Sequence, residues 1–161
     1  MGAADQRFFD ALRAAHFPPD RNHLAAHITL FHQLPPSCLD ELDRLVRTIA
    51  ADTPAPAATV SEVYSLGGGT AFRIDSPELL DIRARIADHF RGMLTAQDRG
   101  TPRLHITVQN KVTGAEAKAL VTELSAGFRP RPLAIIGLAA HHYRGGPWEG
   151  AFARKFHGSR R

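Results

Sequence analysis

His27-Ile28-Thr29-Leu30 and His105-Ile106-Thr107-Val108 are two copies of one pattern, a histidine and a threonine alternating with apolar residues. In extended backbone, residues i and i+2 share a face, so each copy presents an imidazole and a hydroxyl on one side and two apolar side chains on the other. Each copy reads as a strand with one face made for a core, over Leu24–Phe31 in the first case and Leu104–Val108 in the second. The residues downstream of the two copies are also alike. After the first, Leu39, Leu42, Leu45, Val46 and Ile49 recur at helical spacing behind Ser37-x-x-Asp40, a capping-box-like start. After the second, Ala117, Leu120, Val121 and Leu124 do the same between Thr113-x-x-Glu116 and Gly127. A glycine turn then begins 40 residues beyond each histidine, at Gly67 and at Gly145. The flanking runs, Thr59–Leu66 with Thr70–Ile74 and Leu133–Tyr143 with Trp148–Phe156, read as hairpins.

Equal spacing of strand, helix and hairpin points to an internal duplication. Two further helices stand outside it. One spans Asp5–His16 and is stopped by Pro18-Pro19; the other opens at Ser76-Pro77 and places Leu79, Ile82, Ile86, Phe90 and Met93 on one side. The predicted fold is α+β: a single bilobal domain over residues 1–161, with lobe-forming repeats at about 24–75 and 102–156. Its two lobes are expected to be related by a pseudo-twofold axis, each with an antiparallel sheet flanked by helices.

Composition narrows the function. A length of 161 residues fits one domain, and 43% hydrophobic with 22% charged residues fits a globular one. The longest apolar run, Pro132–Ala140, is far short of the ~20 residues of a spanning helix, and Asp5 interrupts any signal-like segment near Met1. The one cysteine, Cys38, excludes an intrachain disulfide. The expectation is a cytoplasmic protein without a membrane partner; nothing in the sequence sets its oligomeric state. Residues 1–80 carry 6 Lys/Arg against 10 Asp/Glu, and residues 81–161 carry 14 against 6, so the second half is the one suited to phosphates.

The chemistry lies in the paired motifs. If the two lobes meet, two imidazoles and two hydroxyls converge in one cleft. Transfer at a phosphodiester needs a base for the attacking oxygen and an acid for the leaving oxygen, and an unperturbed histidine pKa of ~6.5 suits both tasks. His27 and His105 are the candidates for that pair, with the Thr29 and Thr107 hydroxyls donating to the non-bridging oxygens. A chain with nine histidines yields about 0.1 of such a segment by chance, so one copy says little and two at matched places say much. No metal or other cofactor is called for. His23 and His27 lack the helix and the glutamate of a zinc motif, and His141-His142 point to opposite faces of a strand. Gly67-Gly68-Gly69 has no lysine after it and is a turn, not a phosphate-binding loop.

The paired H-x-T-h motifs resemble the signature of the 2H phosphoesterase superfamily. Ala26-His27-Ile28-Thr29-Leu30-Phe31 with His105-Ile106-Thr107-Val108-Gln109-Asn110-Lys111-Val112 is similar to its 2′-5′ RNA ligase-like, bacterial branch. That resemblance implies a bilobal, metal-independent enzyme acting on RNA ends or nucleotides that carry a 2′,3′-cyclic phosphate, with possible 2′-5′ ligation in reverse. It assigns His27 and His105 as the acid/base pair and Thr29 and Thr107 as phosphate ligands. Two departures stand out: Ala26 replaces a frequent proline, and Gln109-Asn110-Lys111 replaces a nearby arginine. Lys111 shares the parity of His105 and is the candidate phosphate-side cation if the strand continues. Tyr143 and Trp148, beside the second glycine turn, are candidates for stacking on a base. The alternative reading is a catalytically silent RNA-end or nucleotide binder using the same cleft.

Overall fold

A computed structural model describes residues 1–145 and 148–157. The chain runs α1 (Ala3–His16), α2 (Leu39–Asp52), β1 (Ala57–Ser65), β2 (Gly69–Asp75), α3 (Pro77–His89), β3 (His105–Asn110), α4 (Gly114–Ala126), β4 (Arg131–Ala134), β5 (Gly137–Tyr143) and β6 (Trp148–Lys155). The predicted α+β class is what forms, with one sheet ordered β3-β2-β1-β4 and a second made of β5 and β6. The β1–β2, β2–β3 and β5–β6 pairings are antiparallel. Among the described residues, no helix is long and apolar enough to cross a membrane.

Two compact units share these elements. The first comprises Met1–Thr29, Ala58–Asp75 and Arg103–Ala134; the second comprises Leu30–Ala57, Ser76–Pro102 and Ile135–Arg161. Their boundaries differ from those of the repeats, because each unit takes segments from both. The physical reason is an exchange of partners. Helix α4 of the second repeat packs on β2 of the first repeat's hairpin, while α2 of the first repeat packs on β5 and β6 of the second's.

In the first unit the core face carries Val60, Phe72, Ile74, Ile106 and Val108, all 3% exposed or less, together with Phe9 of α1. Phe9 and Phe72 meet edge to face, with ring centroids 5.3 Å apart. In the second unit Val46, Ile49, Ile82, Ile86, Phe90 and Leu94 form the core, with Leu138 and Phe152 packed against it. Burying a side chain of this size is worth about 1.5–3 kcal/mol, so these two clusters dominate the favourable side of folding.

Helix ends separate the predicted features that form from those that do not. Thr113 and Glu116 make the full capping box, each bonded to the other's backbone N–H. The Ser37-x-x-Asp40 start does not form. A 3₁₀ turn over Pro36–Cys38 makes Cys38 the N-cap, without any side-chain cap. Helix α3 ends at His89, and Met93 falls in a following 3₁₀ turn, 50% exposed rather than on the buried stripe. The run Leu133–Tyr143 is two strands, β4 beside β1 and β5 beside β6, so Ile135-Ile136 passes from one sheet to the other. At the first glycine turn Gly67 has φ 87°, and the Leu66 N–H closes the turn on the Gly69 carbonyl at 2.8 Å. Of the second turn, Gly145 also has positive φ, at 82°, and Gly146 lies outside the described residues.

Candidate active site

The first motif forms no regular strand. Of the predicted Leu24–Phe31, only Ile28 pairs, through a single antiparallel bridge to Ile106. Helix α1 takes the place of a ladder for the residue before it: the Ala26 N–H donates to Asp10 Oδ1 at 2.7 Å, and the Ala26 carbonyl accepts from Gln6 Nε2 at 2.9 Å. Both backbone groups of this buried residue are thereby satisfied without a strand neighbour. One helical turn further on, Arg13 donates from Nη1 to the Thr107 carbonyl at 2.8 Å and from Nε to Asn22 Oδ1 at 3.0 Å. Its guanidinium also lies 4.2 Å from the Phe17 ring centroid, and the residue is only 5% exposed. Gln6, Asp10 and Arg13 occupy one stripe of α1, so a single helix grips the backbone of both motifs.

The Ile28–Ile106 bridge decides the geometry. Antiparallel register around it sets His27 opposite Thr107 and Thr29 opposite His105, with all four side chains on the face away from Ile106. The histidines occupy one diagonal of this square and the threonines the other. Such a diagonal separates Cβ atoms by about 7–8 Å, and directly opposed pairs by about 5 Å. His27 is exposed, while Thr29, His105 and Thr107 are half-buried. His27, Thr29, His105 and Thr107 all belong to the first unit, whereas the sequence placed one motif in each lobe.

The two imidazoles are held in the same way. His27 Nδ1 lies 2.8 Å from the Ala25 carbonyl, and His105 Nδ1 lies 2.7 Å from the Arg103 carbonyl, two residues back in each case. A carbonyl oxygen only accepts, so each Nδ1 carries the proton and donates it. In the neutral ring Nε2 is then the basic nitrogen, and in the charged ring it is the second donor.

The same face continues across the sheet. Arg73 of β2 is the register partner of His105, and Ala71 is that of Thr107. Beyond them on β1, Glu62 is paired with Arg73 and Tyr64 with Ala71. Two bulges make this alignment. An extra residue at Ser61 lets Val60 enter the core while Glu62 and Tyr64 stand on the site face, and another at Val108 separates Thr107 from Gln109. The Tyr64 ring meets His105 edge-on with centroids 6.2 Å apart. Burial raises the Tyr64 phenol above its ordinary pKa, against the opposing pull of Arg73 and Arg103. Tyr64 and Arg73 were not singled out from the sequence. The available signal was Arg73 itself, a charge between Phe72 and Ile74 in an otherwise apolar strand.

Lys111 does not keep the parity assumed for it. Strand β3 ends at Asn110, the Val108 bulge reverses the alternation, and Lys111 turns out of the strand with φ 62°. Gln109, its neighbour in the second motif, is buried and accepts the Thr70 hydroxyl at 3.1 Å, a structural bond. Tyr143 and Trp148 are in the second unit, cross-strand partners at the turn end of β5 and β6. Their rings lean on one another at 4.9 Å, and they are 64% and 39% exposed.

Comparison with known proteins agrees with this architecture. The crystal structure of TT0787 of Thermus thermophilus superposes with a TM-score of 0.61 over 99% of this chain and 96% of that one. At 12% sequence identity, that likeness is one of fold. Comparison with curated proteins gives no significant match. The model of the 2′-5′ RNA ligase superfamily, by contrast, matches residues 2–147, a span that includes both His-Ile-Thr motifs and the helix that grips them. The chain therefore belongs to the 2′-5′ RNA ligase superfamily, the 2H phosphoesterases.

Proposed function

We propose that the protein is a metal-independent phosphoesterase that opens 2′,3′-cyclic phosphates on RNA ends or nucleotides. The observation that carries this reading is the square of His27, Thr107, His105 and Thr29, with each Nδ1 tied to a backbone carbonyl. One imidazole takes a proton from water at Nε2 as the water oxygen bonds to phosphorus. The bond from phosphorus to one ribose oxygen breaks, and the other imidazole, charged at the outset, gives that oxygen its Nε2 proton. Water and the cyclic diester become one phosphomonoester, and the two rings have exchanged protonation states. The Thr29 and Thr107 hydroxyls donate to the non-bridging oxygens as their charge changes. With a ribose 5′-hydroxyl in place of water, the same steps would bond the 5′ oxygen to phosphorus as the bond to the 3′ oxygen breaks, leaving a 2′-5′ linkage and a free 3′-hydroxyl, and the reverse would cleave that linkage. Tyr143 and Trp148 are retained as an exposed aromatic pair that a base could contact; Lys111 is left out, because its backbone turns away from the strand.

The test is turnover of the four nucleoside 2′,3′-cyclic monophosphates and a short RNA ending in a cyclic phosphate, in EDTA, by wild type, His27→Ala and His105→Ala. Wild type is expected to hydrolyse at least one of them, and each variant to lose about a thousandfold or more while keeping its fold. Binding of these ligands without turnover by wild type would identify a silent binder instead.

A further inference from the structure

We propose that Arg73 is the cation that meets the non-bridging oxygens of the substrate phosphate, held ready for it by Tyr64 and Glu62; this rests on the two-histidine reading of the site. Arg73 is the direct register partner of His105 and shares its face of the sheet. His105 therefore has Thr29 on one side and Arg73 on the other, in a single row that continues to Glu62 on β1. The guanidinium carbon lies 5.5 Å from the Tyr64 ring centroid, Nε lies 2.7 Å from Glu62 Oε1, and the side chain is still 39% exposed. Tyr64 meets His105 from the far side of β2 because only the Ala71 methyl stands between Tyr64 and Thr107 in the adjoining row.

The charge belongs at this place for a chemical reason. Two hydroxyls and a charged imidazole are modest partners for a phosphate whose equatorial charge redistributes during attack, and a planar guanidinium can offer two parallel N–H donors to two oxygens. The residues after the second motif do not supply it, since Lys111 leaves the strand with left-handed backbone. Arg73 reaches the same phosphate from the neighbouring strand. Stacking on Tyr64 and pairing with Glu62 limit the conformations the side chain must give up on binding, and Glu62 is displaced or shared when the anion arrives.

Titration with inorganic phosphate, followed by the ring C–H NMR signals of His27 and His105, tests this without turnover. In wild type, phosphate is expected to shift both histidines. Arg73→Gln is expected to weaken phosphate at least tenfold with the spectrum of a folded protein retained, Arg73→Lys to recover part of that loss, and Glu62→Gln to bind at least as tightly as wild type. A folded Arg73→Gln that binds as well as wild type, an Arg73→Lys no tighter than Arg73→Gln, or a weaker Glu62→Gln would each overturn the proposal. Wild type in which phosphate moves neither histidine signal would instead remove the two-histidine reading on which it stands.

Discussion

Thr29 and Thr107 occupy the corners of the square that the histidines leave, and each faces the opposite motif's imidazole across the bridge. A hydroxyl placed there matters only if it donates to charge in the transition state. Thr29→Val and Thr107→Val keep shape and branching and remove that donor, so each is expected to lower kcat by about a hundredfold with little change in thermal stability. Parallel kinetics and melting curves check this; a matching loss of stability would make the hydroxyls structural. The proposed mechanism imposes a second condition on the histidines, because it needs one ring neutral while the other is charged. The profile of kcat/KM against pH is therefore expected to be bell-shaped, and a flat profile over about pH 5 to 9 would remove the mechanism. That these four side chains share one face was legible in the sequence, because alternation is a local signal. Tyr64 and Arg73 were not, since their face is set by the extra residue at Ser61 and by pairing with a strand far away in sequence.

At the scale of elements, the helices and the first hairpin followed from periodicity and capping, while extended segments depended on what they touch. Leu24–Phe31 has strand composition, yet side chains of α1 take both backbone groups of Ala26, and the second half of the run passes into another unit. Beyond that point, Asp98 does for the second unit what Asp10 does for the first. Its carboxylate, 2% exposed, accepts the backbone N–H groups of His32 and Gln33 at 2.9 and 3.1 Å, the His32 ring at 3.0 Å and the Thr95 hydroxyl at 3.2 Å. Burial pushes this carboxyl up, and the hydrogen bonds from His32, Gln33 and Thr95 together bring it below its ordinary value. Because the folded pKa is the lower one, the stability Asp98 contributes is complete above the unfolded value of about 3.9 and is lost as pH falls through the folded value. Asp98→Ala is expected to cost about 2–4 kcal/mol near neutrality, and Asp98→Asn to flatten the fall in stability below about pH 4. Urea titrations across the acid range read both.

For the molecule as a whole, the sequence carried the class and the helices that became α1 to α4, but it assigned one repeat to each lobe. The exchange of α2 and α4 between hairpins could not be read there, because periodicity shows that a helix has an apolar side but not which hairpin that side meets. The exchange makes a definite prediction. Residues 1–80 contain a complete first repeat but lack β3 and α4 of the first unit and β5 and β6 of the second. That fragment is expected to show no cooperative urea transition, and a sharp one would mean that a repeat can fold alone. The same interleaving bears on synthesis. While a nascent chain ends before Arg103, both units still lack a segment, so collapse must wait for contacts of long sequence separation. Neither unit can close before its last segment has been made, and His27 is synthesised well before β3 arrives to form the bridge that sets it opposite Thr107.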